Sequence, residues 1–440
     1  MALGGGQWLV QNKILPGAYI NFASMSITAS MGERGIATLP LALDWGADGS
    51  IIRVDAAEFN RMAKPALGYD PTAPQLLLVR EALKRASALL VWRINAGGTK
   101  ASAALDGLTA TAKHSGIRGN ALKVAIEVDL DDNALHRVTT YLGGDVVDVQ
   151  TVATSAELAA SDYIAWSGEG LAATAGTPLA GGTNGTATGQ SYADYLTAVE
   201  VESFNVIGYP GEDVATQNLF AAFVKRLRDA EGNLVVGVLA GYPADSEGLI
   251  NVANGVKLNT GEELTAAQSV AWAAGASAGA EVNESLTNTV YEGAVEVVGK
   301  MTKSQYEQAI KAGKFVFYFD GLNARVVSDI NSLTTFTPTK DQNFSSNRVI
   351  RVLDGWGNDV ARIFGQSYMG VVTNSETGRM LFKADLVALG GQYQSIDAIS
   401  DFSADNIEVV QGDGKRDVLV NMSLIPNDSM ERLYMTVRVQ

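Results

Sequence analysis

Residues 204–239 constrain the fold more tightly than any other stretch of the chain. Phe204-Asn-Val-Ile-Gly-Tyr209 is an apolar run of strand length, residues 216–228 form an amphipathic helix, and Leu234-Val-Val-Gly-Val-Leu239 is a second apolar run. Strand, helix and strand within about 35 residues form a βαβ unit, and hence a parallel sheet. Downstream, Thr260-Gly-Glu-Glu263 reads as the cap of a helix running through Ala266, Ala267, Ala271, Ala274 and Ala278. Its small side chains let that helix approach its neighbours closely. Thr302-Lys-Ser-Gln305 repeats the capping pattern, Gly313 suits the position after the helix, and Phe315-Val-Phe-Tyr-Phe319 follows as a strand.

The rest of the 440 residues divide around this α/β stretch, which covers 186–335. Residues 1–30 form an N-terminal arm in which Gly4-Gly5-Gly6 and Pro16-Gly17 break the chain around a short strand, Ala18, Tyr19, Ile20, Asn21 and Phe22. That strand is either an edge of the protein's own sheet or an arm that pairs with a neighbouring subunit. Residues 31–98 are an α/β segment, with a capping pattern at Asp55-Ala-Ala-Glu58, a helix from Pro74 and a strand at Leu89-Leu-Val-Trp-Arg-Ile94. Residues 99–185 are β-rich, with a strand over Leu122-Lys-Val-Ala-Ile-Glu-Val128 and turns at Gly143-Gly144 and Gly181-Gly182. The Gly/Thr/Ala-rich residues 172–189 read as the exit linker.

Residues 336–440 are a further α+β unit, with helices over 347–368 and 376–389. Within the first, Asp354-Gly-Trp-Gly-Asn-Asp359 reads as a bend, a hinge or an interhelical turn. A hairpin follows, with Ile407, Glu408, Val409 and Val410 on one strand and Asp417, Val418, Leu419, Val420 and Asn421 on the other, joined at Gly412-Asp-Gly414. After a Pro426-Asn-Asp break comes a terminal strand, Leu433, Tyr434, Met435, Thr436, Val437, Arg438 and Val439. Its apolar residues alternate at strict two-residue spacing, so it needs a partner.

Composition removes several functions. The 33 Lys and Arg against 48 Asp and Glu give a formal net charge of −15, which repels a phosphate backbone and argues against nucleic-acid binding. Without cysteine there are no disulfides, thiolate nucleophiles or Cys-ligated metals. Charged residues are 18% of the chain, below the usual share of about 25%, as expected if something other than water covers much of the surface. The start shows neither a basic nor an apolar signal region, and residues 264–280 are too short and weakly hydrophobic to span a bilayer. The expectation is a soluble chain without membrane insertion.

No chemistry assembles from the motifs. His114 and His136 are the two histidines; neither lies at the end of a predicted parallel strand, and no G-x-S-x-G elbow is present. Asp129-Leu-Asp-Asp-Asn133 opens like a calcium loop, but Ala134 and Thr140 stand where Gly and Glu are required. There is no phosphate-binding G-x-x-x-x-G-K-[ST] stretch. Thr334-Thr-Phe-Thr-Pro-Thr-Lys340 reads as a polar connector. These residues imply no cofactor, no metal and no enzyme.

The ordered motifs carry a resemblance. Gly4-Gly-Gly-Gln-Trp8, Gln11-Asn-Lys13 and Pro16-Gly-Ala-Tyr-Ile-Asn-Phe22 resemble the start of contractile tail sheath proteins, of the type found in defective prophages and phage-tail-like bacteriocins. So do Gly107-Leu-Thr-Ala-Thr-Ala-Lys113, Gly116-Ile-Arg-Gly-Asn120, Asp329-Ile-Asn-Ser-Leu-Thr-Thr-Phe-Thr-Pro-Thr-Lys-Asp341, Asn347-Arg-Val-Ile-Arg351 and Met430-Glu-Arg-Leu-Tyr-Met-Thr-Val437. The resemblance implies an N-terminal arm, an inserted β-sandwich, a domain of subtilisin-like topology without protease activity, and a tube-facing C-terminal domain. It further implies hexameric rings stacked as a helical sheath around an inner tail tube protein, with baseplate and tail terminator partners. Such a particle is a virion tail or tail-like assembly built in the bacterial cytoplasm. By position, Ala18 to Phe22 and Leu433 to Val439 would be strands donated between subunits, and the hairpin at 407–421 would receive them. A hydrolase-like α/β enzyme and a secreted surface-array protein are the alternative readings.

Overall fold

Val206–Gly208 and Val236–Ala240 are parallel neighbours joined by the helix Val214–Asp229, as the apolar runs predict. The computed structural model describes residues 4–6, 17–19 and 30–439. The connecting helix starts on Asp213, whose carboxylate accepts from Thr216 N at 2.8 Å and from Thr216 Oγ1 at 2.7 Å. Arg226 and Arg228 in its last turn complement the helix dipole.

These strands belong to a six-stranded sheet in the order Leu249–Val252, Val236–Ala240, Val206–Gly208, Ile36–Leu41, Ala88–Arg93 and Ile52–Asp55. All neighbours run parallel except the edge strand Ile52–Asp55. The early and late α/β stretches of the sequence therefore lie in one sheet. Alternate residues feed two cores: Leu89 and Val91 face the helices Phe59–Leu67, Leu77–Leu83 and Ala266–Gly279, while Leu90 and Trp92 face Gly189–Val199 and Val214–Asp229. A parallel sheet with both faces buried explains the unbroken apolar runs.

The helix Ala266–Gly279 is buried on almost every side. Its cap is Thr265, not Thr260: Gln268 N donates to Thr265 Oγ1 at 3.2 Å, and Thr265 N donates to Gln268 Oε1 at 3.0 Å. The same spacing occurs twice in nine residues, and the earlier copy is consumed by a hairpin, since Glu263–Leu264 pairs with Gly255–Leu258. Gly275 and Gly279 sit one turn apart against the helix Leu77–Leu83 and the residues after it. A Cβ at Gly275 would lie 2.0 Å from the Ala82 carbonyl oxygen, and one at Gly279 would lie 1.8 Å from that of Arg85.

The insert comprises a four-stranded sheet (Asp145–Val152, His136–Leu142, Leu122–Val128, Thr174–Pro178) and a three-stranded sheet (Ile164–Gly168, Leu108–Ala112, Ser102–Leu105) around a shared core. The expected linker over 172–189 is corrected here, because Thr174–Pro178 pairs with Leu122–Val128. Its Thr and Gly content conceals a strand whose ladder is interrupted between Thr174 and Thr177. Asp55 and Glu58 do not form the expected capping box; their carboxylates pair with Arg53 and Arg61.

The chain divides into two compact units, residues 33–355 with 427–440, and residues 1–32 with 356–426. In the first, the opening turns of the helix Asn347–Ile363 are fastened by buried carboxylates. Asp329 accepts from Leu286 N, Asn347 Nδ2 and Arg351 Nη2 at 3.0, 2.9 and 3.4 Å. Asp354 takes both ends of the Arg228 guanidinium, at 2.6 and 2.9 Å. Burial pushes the Asp354 carboxyl up from its ordinary value while Arg228 pulls it down, so the carboxylate depends on that arginine.

In the second unit, Asp359 accepts from Gly32 N at 2.7 Å and from Tyr393 Oη at 2.9 Å. The helix Glu376–Ser395 packs on the hairpin strand Ile407–Gln411. The expected break at Asp354-Gly-Trp-Gly-Asn-Asp359 is absent, and the helix runs through both glycines. Each of the two glycines costs the helix about 1 kcal/mol, and the flanking Asp354 and Asp359 are held by Arg228 and by Gly32 and Tyr393. Gly4–Gly6, expected as a break, pairs in parallel with Gly17–Tyr19. Among the described residues no helix is long and apolar enough to cross a membrane.

Two substitutions test this packing. Gly275→Ala forces a methyl against backbone and is expected to cost about 1–3 kcal/mol, read as a lower urea midpoint. Arg228→Met strands a buried carboxylate and is expected to cost about 3–5 kcal/mol at pH 7. Burial already holds the folded Asp354 carboxyl above its ordinary value, and losing Arg228 raises it further, so the deficit should be full above that raised value and shrink as pH falls through it toward the ordinary carboxylate range.

Candidate functional site

An open α/β sheet places its chemistry beyond the C-terminal ends of its strands. Here that place is filled. Arg93, fully buried at the end of Ala88–Arg93, donates to the carbonyls of Leu43 and Ser115 at 2.9 and 2.8 Å and to Asp48 Oδ1 at 3.1 Å. Ser115 Oγ donates to Asp48 Oδ2 at 2.7 Å, and Asn184 Nδ2 donates to Asp44 Oδ1 at 2.8 Å. Ser115 lies inside the insert, between Leu108–Ala112 and Leu122–Val128, and Asn184 lies where the chain leaves it, so this polar knot fastens the insert to the sheet. The signal was legible as a lone arginine closing an apolar strand, but sequence reasoning passed over it.

His114 beside this knot meets Trp45 edge-on at 5.1 Å. Burial, helped by Lys113, pushes its imidazole down to about 4, so it is neutral at pH 7. Ser115 Oγ donates to a carboxylate that also pairs with Arg93, so its hydroxyl is tied into the knot. His136 lies on His136–Leu142 in the insert. The motif residues 334–341 form an exposed loop fastened at its base: Asp245 Oδ1 accepts from Thr334 N, Thr335 N and Thr334 Oγ1 at 2.7, 2.9 and 3.0 Å. The Thr335 side chain foremost, and then these bonds, hold the Asp245 carboxyl down at about 2.

The expected recipient hairpin is formed by Ile407–Gln411 and Val418–Met422, in register from Ile407 opposite Met422 to Gln411 opposite Val418. Glu408, Val409, Val410, Leu419, Val420 and Asn421 are all in the ladder, and Asn421 Nδ2 donates to Glu408 Oε2 at 3.2 Å across it. Asp417 closes the turn, its Oδ2 accepting from Gly414 N at 2.9 Å. The sheet has two strands, so each keeps one edge without a strand partner among the described residues. Leu419 is 49% exposed.

Of the expected N-terminal strand, Ala18 and Tyr19 lie in Gly17–Tyr19, while Ile20, Asn21 and Phe22 lie outside the described residues. Residues 433–439 pair with no strand among the described residues. Leu433, Met435, Val437 and Val439 are 85, 73, 69 and 92% exposed, and Tyr434, Thr436 and Arg438 are exposed as well. Just upstream, in the same unit, Glu431 Oε1 accepts from Thr287 Oγ1 at 2.6 Å beside a cleft of about 1250 Å³.

Four family models match successive parts of the chain: the tail sheath protein Gp18 domain III N-terminal region (residues 34–94), and the phage tail sheath protein beta-sandwich domain (96–184), central domain (185–332) and C-terminal domain (339–440). The phage-like element PBSX protein XkdK of Bacillus subtilis is 35% identical, over 99% of this chain and 100% of that protein. The crystal structure of a sheath tail protein from Desulfitobacterium hafniense is 45% identical, with a TM-score of 0.84 over 96% of this chain and all of that one. The helical sheath of the anti-feeding prophage in its contracted state shares the fold at 13% identity and a TM-score of 0.57, over 96% of this chain and 99% of that one. Sheath domains across residues 34–440, a strand end at Arg93 taken up by structural bonds and an exposed apolar terminal segment agree: the chain belongs to the phage tail sheath protein family and is a structural subunit of a contractile tail sheath.

Proposed function

We propose that copies of this chain join through donated strands, with residues 18–22 and 433–439 of neighbouring copies adding to the hairpin at 407–421. The observation that carries this reading is the pairing of two deficits. Among the described residues, a seven-residue segment with strictly alternating apolar side chains has no strand partner, and a two-stranded hairpin has open edges. Strand addition satisfies the backbone groups of both, and alternate side chains fill the pockets of the receiving sheet.

On this reading the subunits form hexameric rings stacked helically around an inner tail tube, bounded by baseplate and terminator proteins. The particle is assembled in the bacterial cytoplasm. The parallel sheet with helices on both faces supports a subtilisin-like topology for the central domain, with no protease activity. The assembled sheath is a kinetically trapped, extended lattice; contraction adds buried contacts between subunits and drives the tube through a target envelope. The fold shared with a contracted helical sheath is consistent with the contracted end of this cycle. The free energy is held in the lattice, so the mechanism needs no nucleotide or other cofactor.

Negative-stain electron microscopy of the purified chain tests the reading. Tubes or rings of uniform width are expected on concentration, and deletion of residues 1–22 is expected to leave a folded monomer that forms none. Normal tubes from that truncation would overturn strand donation by the N-terminal arm. Because each copy carries a formal charge of −15, raising the salt from about 0.05 to 0.5 M screens the repulsion and should lower the concentration at which sedimentable polymer appears. Assembly that weakens with salt would show that attraction between opposite charges dominates the interface.

A further inference from the structure

We propose that Thr287 and Glu431 are the root of the C-terminal arm, a fixed point that leaves only the residues beyond it free to join a second copy. The inference rests on the strand-donation reading and adds the residues that position the donated strand. Thr287 Oγ1 is used twice: it accepts from Asp329 N at 2.9 Å and donates to Glu431 Oε1 at 2.6 Å. The terminal segment is thereby bonded to the amide of the residue whose buried carboxylate holds Leu286, Asn347 and Arg351.

The exposure pattern decides between an anchor and a latch. A latch would cover the donated strand until release. Here the bond lies two residues before Leu433, and all of 433–439 remains exposed. The contact therefore fixes where the strand leaves the body without occupying its pairing edges. Seven residues reach about 23 Å when extended, which limits the arm to an adjacent copy. Releasing Glu431 moves the root back towards Pro426, lengthens the tether and dilutes the strand at its target.

The test compares Glu431→Ala, Glu431→Gln and Thr287→Val with the unaltered full chain and with a chain ending at residue 432. Sedimentation gives the critical concentration for polymer, and hydrogen exchange of residues 428–432 reads the anchor in the monomer. Glu431→Ala is expected to raise the critical concentration on the order of 2–5-fold and to speed exchange, with unchanged melting. Glu431→Gln, which keeps an acceptor oxygen, should restore most of both. Thr287→Val should match Glu431→Ala; if it lowers melting by disturbing Asp329, the Glu431 pair decides alone. Assembly of Glu431→Ala at the normal concentration would overturn the anchor, and assembly at a lower concentration would make the contact a latch. If the chain ending at 432 assembles normally, strand donation by this arm fails; if it does not assemble while Glu431→Ala does so normally, the anchor alone fails.

Discussion

The carboxylate of Asp329 is buried in the larger unit and takes three donors from two stretches of chain: Leu286 N, Asn347 Nδ2 and Arg351 Nη2. A charge in that position is tolerated only when paired and hydrogen-bonded. The geometry of all three donors is therefore fixed together, and any rearrangement of one leaves an expensive group exposed to the others. The first turn of the helix Asn347–Ile363, the turn at 284–287 and the segment after Ala324–Val326 are locked to one another through a single side chain. One turn further along, the bidentate pair of Asp354 with Arg228 ties the same helix to the last turn of Val214–Asp229. A buried ion pair adds little net stability, but losing one partner leaves an uncompensated buried charge, so these pairs hold their elements in one arrangement.

The same preference for rigidity appears at the reactive end of the sheet. In an enzyme that edge holds unsatisfied groups ready for substrate. Here Arg93 donates to the backbone and to Asp48, and Ser115 Oγ donates to the same carboxylate. These polar groups secure the sheet to the insert at an internal turn, through Ser115, and at its exit, through Asn184. Gly275 and Gly279 do the equivalent on the other layer, letting two helices meet at a separation that no larger residue permits.

Legibility in the sequence followed how local each determinant was. The βαβ unit, the capping box at Thr302 and Gln305, the strand Leu122–Val128 and the hairpin at 407–421 were readable because propensity, period and turn residues agreed within a few positions. The cap at Thr265 was missed because two copies of one pattern compete, and only the pairing of Glu263–Leu264 with Gly255–Leu258 selects between them. The strand Thr174–Pro178 and the uninterrupted helix through Gly355 and Gly357 were missed for the opposite reason, since local composition argues against them and tertiary bonds win. The motifs at 329–341 and 347–351 carried the family resemblance, but sequence spacing gave no sign that Asp329 reaches both Asn347 and Arg351.

Charge sets the remaining condition on assembly. Copies that each carry −15 repel one another, so lattice contacts built on side-chain charge would have to be renewed at every step of a contraction. A donated strand avoids this, because its bonds are backbone to backbone and carry no net charge. The arm at 433–439 has one cation, Arg438, and no acid, so it does not add to the repulsion. Backbone pairing is also indifferent to rotation of the bodies it joins, provided the tether has slack. Under the strand donation proposed above, the arms would keep neighbours connected while the compact units exchange one set of contacts for another.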